Sequence, residues 1–559
     1  MNHRPRITRA TRPQHALLPA LIAAAFALPG SPAHAFSFDT GNPDFKLRWD
    51  NTFKYSAAFR LKERSETIME DHRTDDGDRN FSKGLISNRI DVLSELDASF
   101  QNFGARISGA AWYDRVYNKT NDSNAAVDSN VTSVPYNEFA EETRNRMGRK
   151  AELLDAFAYA KGSIGGMAGT VRLGRHSLVF GETLFFGANG IANAQGPIDL
   201  VKLLNVPSSQ FKEVLRPVNQ VSGQLQLTSD LSMSAYYQLK WEKSVIPPAG
   251  SYLSTSDIAG EGAESVRNLS ALGIPGLGVV YPRGADIKPR DQGQGGVQLR
   301  YRMDAIDSEL GLYAARYHDK SPQLYLATDI PNGFAPVNLV HVYPEGIRTY
   351  GASLSTIVGP VNVAGEVSIR NNAPLVSDPV VVQYNGGFDN RDNPAYAIGK
   401  TGHAQVSAVY LMQTGPFWQG GVVLGEIAWN RTIAVNRNFA ALDPNTTRDA
   451  YAFRVLFAPA YYQVLPGLDI NIPLGLGYNP KGRSSAVFSF NGGVEHGGDL
   501  SIGLTGTYEN VWNFGLNYVK YLGKESPFLT PPNSNSATLS YGQALKDRDF
   551  ISLNVKRSF

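Results

Sequence analysis

No cysteine occurs among the 559 residues. That excludes disulfide frameworks, thiolate metal sites and a cysteine nucleophile. Charge is also scarce. Asp, Glu, Lys and Arg make up 19% of the chain, and 53 basic against 51 acidic residues leave a balance of +2, so no global basic field points to nucleic acid. Beyond the N-terminal segment there is no long apolar run, and nothing after Phe36 approaches the ~18 apolar residues a helical membrane span needs. What the chain does have is aromatics, 26 Tyr and 27 Phe, together with 54 Gly.

The first residues explain part of this. Arg4, Arg6, Arg9 and Arg12 stand without acids, Ala16 to Leu28 are apolar, Pro29-Gly30 break the run, and Ala33-His34-Ala35 has the A-x-A form. This pattern predicts a cleaved secretory signal over residues 1–35. The chain from Phe36 on then holds 49 basic against 51 acidic residues, a balance of −2.

The remainder reads as strands. From Lys46 to Leu61, the odd positions Leu47, Trp49, Phe53, Tyr55, Ala57, Phe59 and Leu61 are apolar and only Asn51 departs. The even positions Lys46, Arg48, Asp50, Thr52, Lys54, Ser56 and Arg60 are polar. A period of two separates these sets onto opposite faces of a strand, whereas a helix would mix them. Ile86, Ile90, Val92, Leu96 and Phe100 alternate in the same way with Arg89, Asp91, Glu95 and Asp97. Strands of about fifteen residues exceed the usual five or six of soluble proteins and suffice for a tilted bilayer crossing. The pattern recurs more weakly along the whole chain, as in a membrane β-barrel. The chain ends F-I-S-L-N-V-K-R-S-F, with Ile551, Leu553, Val555 and Phe559 on one face, which fits a closing strand.

Short turns are expected near Asn102-Gly104, Gly162-Gly166, Ser229-Asp230, Asp304-Asp307, Val358-Pro360, Gly415-Trp418, Leu465-Leu468 and Glu509-Val511, with long polar segments between them. Short periplasmic turns and long outer loops then give an all-β, transmembrane antiparallel barrel of about 18 strands over residues 36–559, with 16 to 20 open. Residues 479–498 are assigned to an outer loop, because an extra strand there would break parity.

Function has to come from the interior. Arg48, Asp50, Lys54, Arg89, Asp91, Glu95, Asp97, Arg300, Arg302, Glu366 and Arg370 fall on the polar parity, as do Lys46, Arg106, Lys240, Glu242 and Glu426. Such a set lines a hydrated lumen, either as selectivity charges or as a structural ion-pair lattice. Residues 187–219 read as an insert, with Leu200, Val201, Leu203 and Leu204 at helical spacing and Ser208-Ser209 placed to cap a second helix through Val214. Its apolar face needs cover; the lumen is the expected place, with contact to a partner at the outer rim as the alternative. Asp75, Asp76 and Asp78 have the oxygen density of a Ca²⁺ loop without EF-hand spacing, so a solvated turn is preferred and no metal or other cofactor is expected. Gly399-Lys400-Thr401 ends like a P-loop, but Pro394 stands where a glycine is required. Neither H-E-x-x-H nor G-x-S-x-G occurs; His176-Ser177 and His403 leave a lipid hydrolase as a remote alternative.

Several long phrases resemble one family: R-W-D-N-T-F-K-Y-S-A-A-F-R (48–60), L-G-R-H-S-L (173–178), G-E-T-L-F-F-G (181–187), Q-F-K-E-V-L-R-P (210–217) and L-K-D-R-D-F (545–550). They are similar to DUF1302, a family of Gram-negative outer-membrane barrels, and the resemblance spans the chain from residue 36 on. It implies an outer-membrane location, a periplasmic or lipoprotein-like partner, an RND-type exporter encoded nearby, and traffic of a small apolar solute. It supplies no catalytic residues, and no enzyme activity is expected. Two of the blocks flank or enter the insert, which makes His176, Glu182, Lys212, Glu213 and Arg216 candidates for positioning it. The competing readings are a conduit, a non-conducting scaffold or receptor, and the hydrolase.

Overall fold

The structure is a computed structural model describing residues 36–38, 41–125, 130–205, 210–268, 279–329, 335–534 and 536–559. The signal segment 1–35 and the expected cap Ser208-Ser209 lie outside these residues.

Eighteen antiparallel strands close into a barrel. They are β1 (Phe45–Arg60), β2 (Gly84–Phe100), β3 (Phe103–Asp114), β4 (Arg149–Ile164), β5 (Met167–His176), β6 (Val218–Gln226), β7 (Leu231–Gln238), β8 (Gln294–Met303) and β9 (Ser308–Tyr317). The second half comprises β10 (Ile347–Val358), β11 (Val361–Pro374), β12 (Ile398–Met412), β13 (Gly420–Arg437), β14 (Asp449–Leu465), β15 (Leu468–Asn471 and Leu474–Lys481), β16 (Gly498–Tyr508), β17 (Trp512–Leu522) and β18 (Phe550–Ser558). Each strand pairs with its sequence neighbour, and β18 pairs with β1 from Thr52–Ser558 to Arg60–Phe550. The terminal Phe559 exchanges two backbone hydrogen bonds with Asn51, and its ring lies edge-on to Phe53. Phe36–Phe38 pairs with β1 at Leu47–Trp49, so it continues the same column beyond the C-terminus.

All eight short connections fall where the turns were expected, and residues 482–497 form an outer loop. The nine long loops, L1 to L9, occupy residues 61–83, 115–148, 177–217, 239–293, 318–346, 375–397, 438–448, 482–497 and 523–549.

Alternation sets which face meets what. Val171, Val367, Val406, Ile427 and Leu504 are exposed on the outside of β5, β11, β12, β13 and β16, Ile427 to 64%. A continuous apolar surface of this kind is an aggregation liability in water and the required surface in a bilayer. No helix among the described residues is long and apolar enough to cross a membrane; the strands do the crossing.

At the outer end the loops pack on one another. Phe81 of L1, Tyr117 and Phe139 of L2, and Tyr252 and Leu253 of L4 form one core with Tyr521 and Phe550 of the barrel rim. Arg60 lies beneath this core, paired with Asp78 of L1 (2.6 Å) and Asp547 of L9 (2.7 Å). Buried charges persist when opposite charges and hydrogen bonds surround them.

Candidate functional site: the lumen and the loop suspended in it

L3 turns inward after β5. Its segment 180–195 lies against the inner face of β11 to β13, where three buried charges hold the loop's backbone. Glu366 of β11 accepts N–H bonds from Glu182 (2.7 Å) and Ile191 (2.8 Å). Glu426 of β13, 1% exposed, accepts from three successive amides, Leu184 (3.2 Å), Phe185 (2.5 Å) and Phe186 (2.8 Å). Arg370 of β11 donates to the carbonyls of Ala188, Asn189 and Gly190 at 2.8–2.9 Å. The loop supplies a nest of amides and the wall supplies the anion. A buried donor left without its partner costs about 1–3 kcal/mol, so Glu426 alone controls three such groups.

Two glycines make this approach possible. A Cβ on Gly181, whose φ is +90°, or on Gly190 would strike the Glu366 carboxylate. Around the charges, Gln405 bonds Thr183 (2.5 Å), Asn189 donates to Gln405 (3.2 Å), and Asn189 also meets His403 (3.1 Å). Arg300 pairs with Glu182 (2.5 Å) and Glu309 (3.1 Å).

The anchored part begins seven residues before the expected boundary at 187. The two helices, α1 (Leu200–Asn205) and α2 (Phe211–Val214), lie elsewhere. Leu203 packs toward Phe211 and Val214, Val201 and Leu204 pack on the outer-loop core, and Arg216 pairs with Glu152 of β4 (2.9 Å). Lys212 and Glu213 are exposed, so the positioning expected of them falls to Phe211 and Val214. His176 is buried at the end of β5. Its Nε2 meets Ser222 (2.7 Å) and its Nδ1 the Gly174 carbonyl (3.1 Å), so its hydroxyl partner is Ser222 rather than Ser177.

The rest of the inner wall has two characters. On β1 to β4 the charges pair with one another: Arg48 with Asp50 (2.7 Å), Arg89 with Asp91 (2.6 Å), Lys54 with Asp91 (3.9 Å), and Arg106 with Glu95, Asp97 (2.9 Å) and Asp155 (3.5 Å). Arg302 sits at the periplasmic rim against Asp304 (2.7 Å). On β12 to β14, periplasmic to Glu426, the inward positions are apolar. Leu411 pairs across with Val422, and Leu424 and Leu456 pack in the cluster that holds Phe185 and Phe186. Leu411 is 71% exposed. The alternation rule overlooked this strip because residues 422–424 and 455–460 are apolar on both parities. That doubled run was the available signal.

Residues 16–559 match the family described as Protein of unknown function (DUF1302). The chain belongs to this family. A search of curated proteins found no match. Among solved structures, the chain is similar to Acinetobacter baumannii OccAB4 (10% identity, 93% of this chain and 100% of that one, TM-score 0.39). It is also similar to Pseudomonas aeruginosa OccD3 (10%, 95% and 94%, 0.38) and to the outer membrane channel DcaP of Acinetobacter baumannii (7%, 94% and 100%, 0.36). The likeness is in outline only.

In this DUF1302 barrel the acidic run of L1 is not a solvated turn. Asp78 is taken by Arg60 and Arg548, while Asp257 of L4 joins Asp75 and Asp76, one oxygen of each lying within 4.8 Å of the others. Burial first, then the neighbouring Asp76, pushes Asp75 up to about 7, with Arg79 opposing. Asn130 donates to Asp76 (2.8 Å).

Proposed function

We propose that this barrel is a conduit for small apolar molecules across the outer membrane, with L3 as its internal constriction. The observation that carries this reading is the suspension of segment 180–195 inside the lumen by Glu366, Arg370 and Glu426. A chain segment held through its backbone by wall charges is a part built to set the bore. The apolar strip beneath it accounts for the solute class: Leu411, Val422, Leu424 and Leu456 offer a greasy path along one side of the lumen, and these side chains give a polar solute no hydrogen-bonding partner. The periplasmic or lipoprotein-like partner and the RND-type exporter implied by the family resemblance would deliver or collect that solute at the periplasmic rim.

The test removes residues 182–215 and joins the flanking strands with a short linker. The expected result is a several-fold rise in planar-bilayer conductance and in N-phenyl-1-naphthylamine uptake by cells. An unchanged, closed barrel would defeat the constriction. Co-purification of an envelope partner without flux in either form would favour the scaffold reading instead.

A further inference from the structure

The apolar strip leads to the one part of the wall, among the described residues, where two neighbouring strands carry proline away from their outer ends. Pro459 lies in the interior of β14, and Pro473 lies in the break between the two halves of β15. Ile472 donates its N–H to the Pro459 carbonyl (3.0 Å), and Gly503 of β16 donates to the Pro473 carbonyl (2.8 Å). In an antiparallel ladder each of these bonds has a reciprocal. Proline has no N–H, so neither reciprocal can form. One ladder bond is therefore missing from each of two adjacent seams, at nearly the same height.

The periplasmic side of the first seam is irregular as well. Pairing between β14 and β15 slips between Tyr461 and Leu465. Gln463 adopts a φ of +51° and gives its N–H to the Asp469 side chain (2.8 Å) rather than to the ladder. By contrast, β1 and β2 pair from Phe45–Phe100 to Arg60–Gly84 with a single shift at the outer end, and β1 to β4 contain no proline.

The side chains fit a passage. Most inward positions beside the prolines are small, Ala458, Ala460, Gly475 and Gly503, with the side-chain amide of Asn471 opposite Ala460. Leu456 continues the strip on one side, and Ile502 and Leu474 face the lipid on the other. A charged or bulky lining would obstruct an apolar solute at this point. In a bilayer an unsatisfied carbonyl is costly, so a wall that leaves two of them at one height has a low barrier to parting there.

We propose that the wall at β14–β16 is a lateral gate through which an apolar solute passes between the lumenal strip and the membrane interior. This deepens the conduit reading and rests on it for the solute class. Because the strip lies periplasmic to L3, the route joins the periplasmic lumen to the bilayer without crossing L3 or the outer loops.

The absence of native cysteine allows a direct test. Ala460 and Asn471 face each other across the seam at a pair flanking the Ile472–Pro459 bond, so the double variant Ala460→Cys/Asn471→Cys can be oxidised to lock it. The probe is a diazirine-bearing dodecane dissolved in the bilayer of proteoliposomes, with labelling mapped by mass spectrometry. In the reduced variant it is expected to label the lumenal residues Leu411 and Leu456. Oxidation should cut that labelling at least fivefold, with recovery on reduction, while labelling of the outward Ile427 and Leu504 stays constant. Pro459→Ala/Pro473→Ala, which restores both N–H groups, should lower the lumenal labelling severalfold without any cross-link. Lumenal labelling that is absent in the reduced protein, or indifferent to both locks, would overturn the gate. The conduit reading is decided separately by the conductance and uptake of the L3 deletion.

Discussion

Two walls of one barrel turn different side chains to the lumen. On β1 to β4 the inward residues are charged and paired. On β12 to β14, periplasmic to Glu426, they are apolar, and the ladder that continues into β15 is interrupted at Pro459 and Pro473. The outer faces of both walls are alike, because both meet lipid. The difference is confined to the inside, so it is not a requirement of membrane insertion. The charged wall is also the more regular one: its strands pair over their length with one register shift in the β1–β2 ladder and one in β3–β4, and Arg106 gathers three carboxylates from β2 and β4. The apolar wall holds the loop at Glu426. On the conduit reading proposed above, one side is the frame and the other the working surface.

The sharpest way to break this comparison is to charge the apolar wall. Leu411→Asp and Leu456→Asp place carboxylates on the strip at half-buried or exposed positions, where the fold tolerates them better than at the buried Leu424. In the L3-deleted barrel, N-phenyl-1-naphthylamine uptake should fall at least tenfold for the pair, a change of about 1.4 kcal/mol or more. Ionic conductance should hold or rise. Equal loss of both would mean collapse of the barrel, and loss of neither would remove the strip from the path.

How much of this was legible beforehand follows the same division. Alternation over Lys46–Leu61, broken only at Asn51 and Ala58, gave away β1 and its inner face, because one side must be wet and the other greasy. The turns were readable from their polar breaks and from parity. The inward placement of Glu366, Arg370 and Glu426 was readable too. What they hold was not, since a carboxylate that binds three backbone amides looks in sequence like one that binds an arginine. Gly181 stood only as the first letter of a motif and Gly190 lay unremarked within the insert, although their missing side chains let the loop reach the wall. The strip was illegible because an apolar residue on the inward parity simply weakens the pattern. Asp257 could not be joined to Asp75 and Asp76 from sequence at all: 181 residues separate it from Asp76, and only the packing of L4 on L1 brings them together.

A smaller effect is expected on the charged wall. Arg106→Ala leaves Glu95, Asp97 and Asp155 without their shared cation. Each of these pairs is partly solvated, so the loss of stability should be modest, about 1 kcal/mol or less per pair. The charge balance of the lumen changes by one unit toward negative. The reversal potential of the L3-deleted barrel in a salt gradient should therefore move toward cation selectivity by a few-fold in permeability ratio, falling as ionic strength screens the carboxylates. Apolar uptake should not change. If it does, the two walls are not independent.

The smallest effect belongs to neither wall but to the cap above them, and it separates loop packing from lumen chemistry. Asp378 of L6 and Asp443 of L7 lie side by side where Ser377 bridges Leu442 and Asp443 donates its N–H to Val376 (3.1 Å). Burial pushes Asp378 up to about 7, reinforced by the neighbouring Asp443 carboxylate, and Asp443 is raised as well, mainly by burial. In the unfolded chain an aspartate titrates near 3.9. Between about pH 4 and 7 the packed loops thus bind more protons than the unpacked ones, and stability falls with rising pH over that window. The contribution is full below the unfolded value and lost as pH passes the folded one. Amide exchange in residues 375–378 and 441–447, corrected for its intrinsic pH dependence, should be several-fold faster at pH 8 than at pH 5. Asp378→Asn removes the shared proton and should flatten that ratio toward one. The strip carries no ionisable side chain at Leu411, Val422, Leu424 or Leu456, so probe labelling of Leu411 and Leu456 should be the same at both values. A pH response there as well would tie the gate to the cap and make the outer loops part of the working wall.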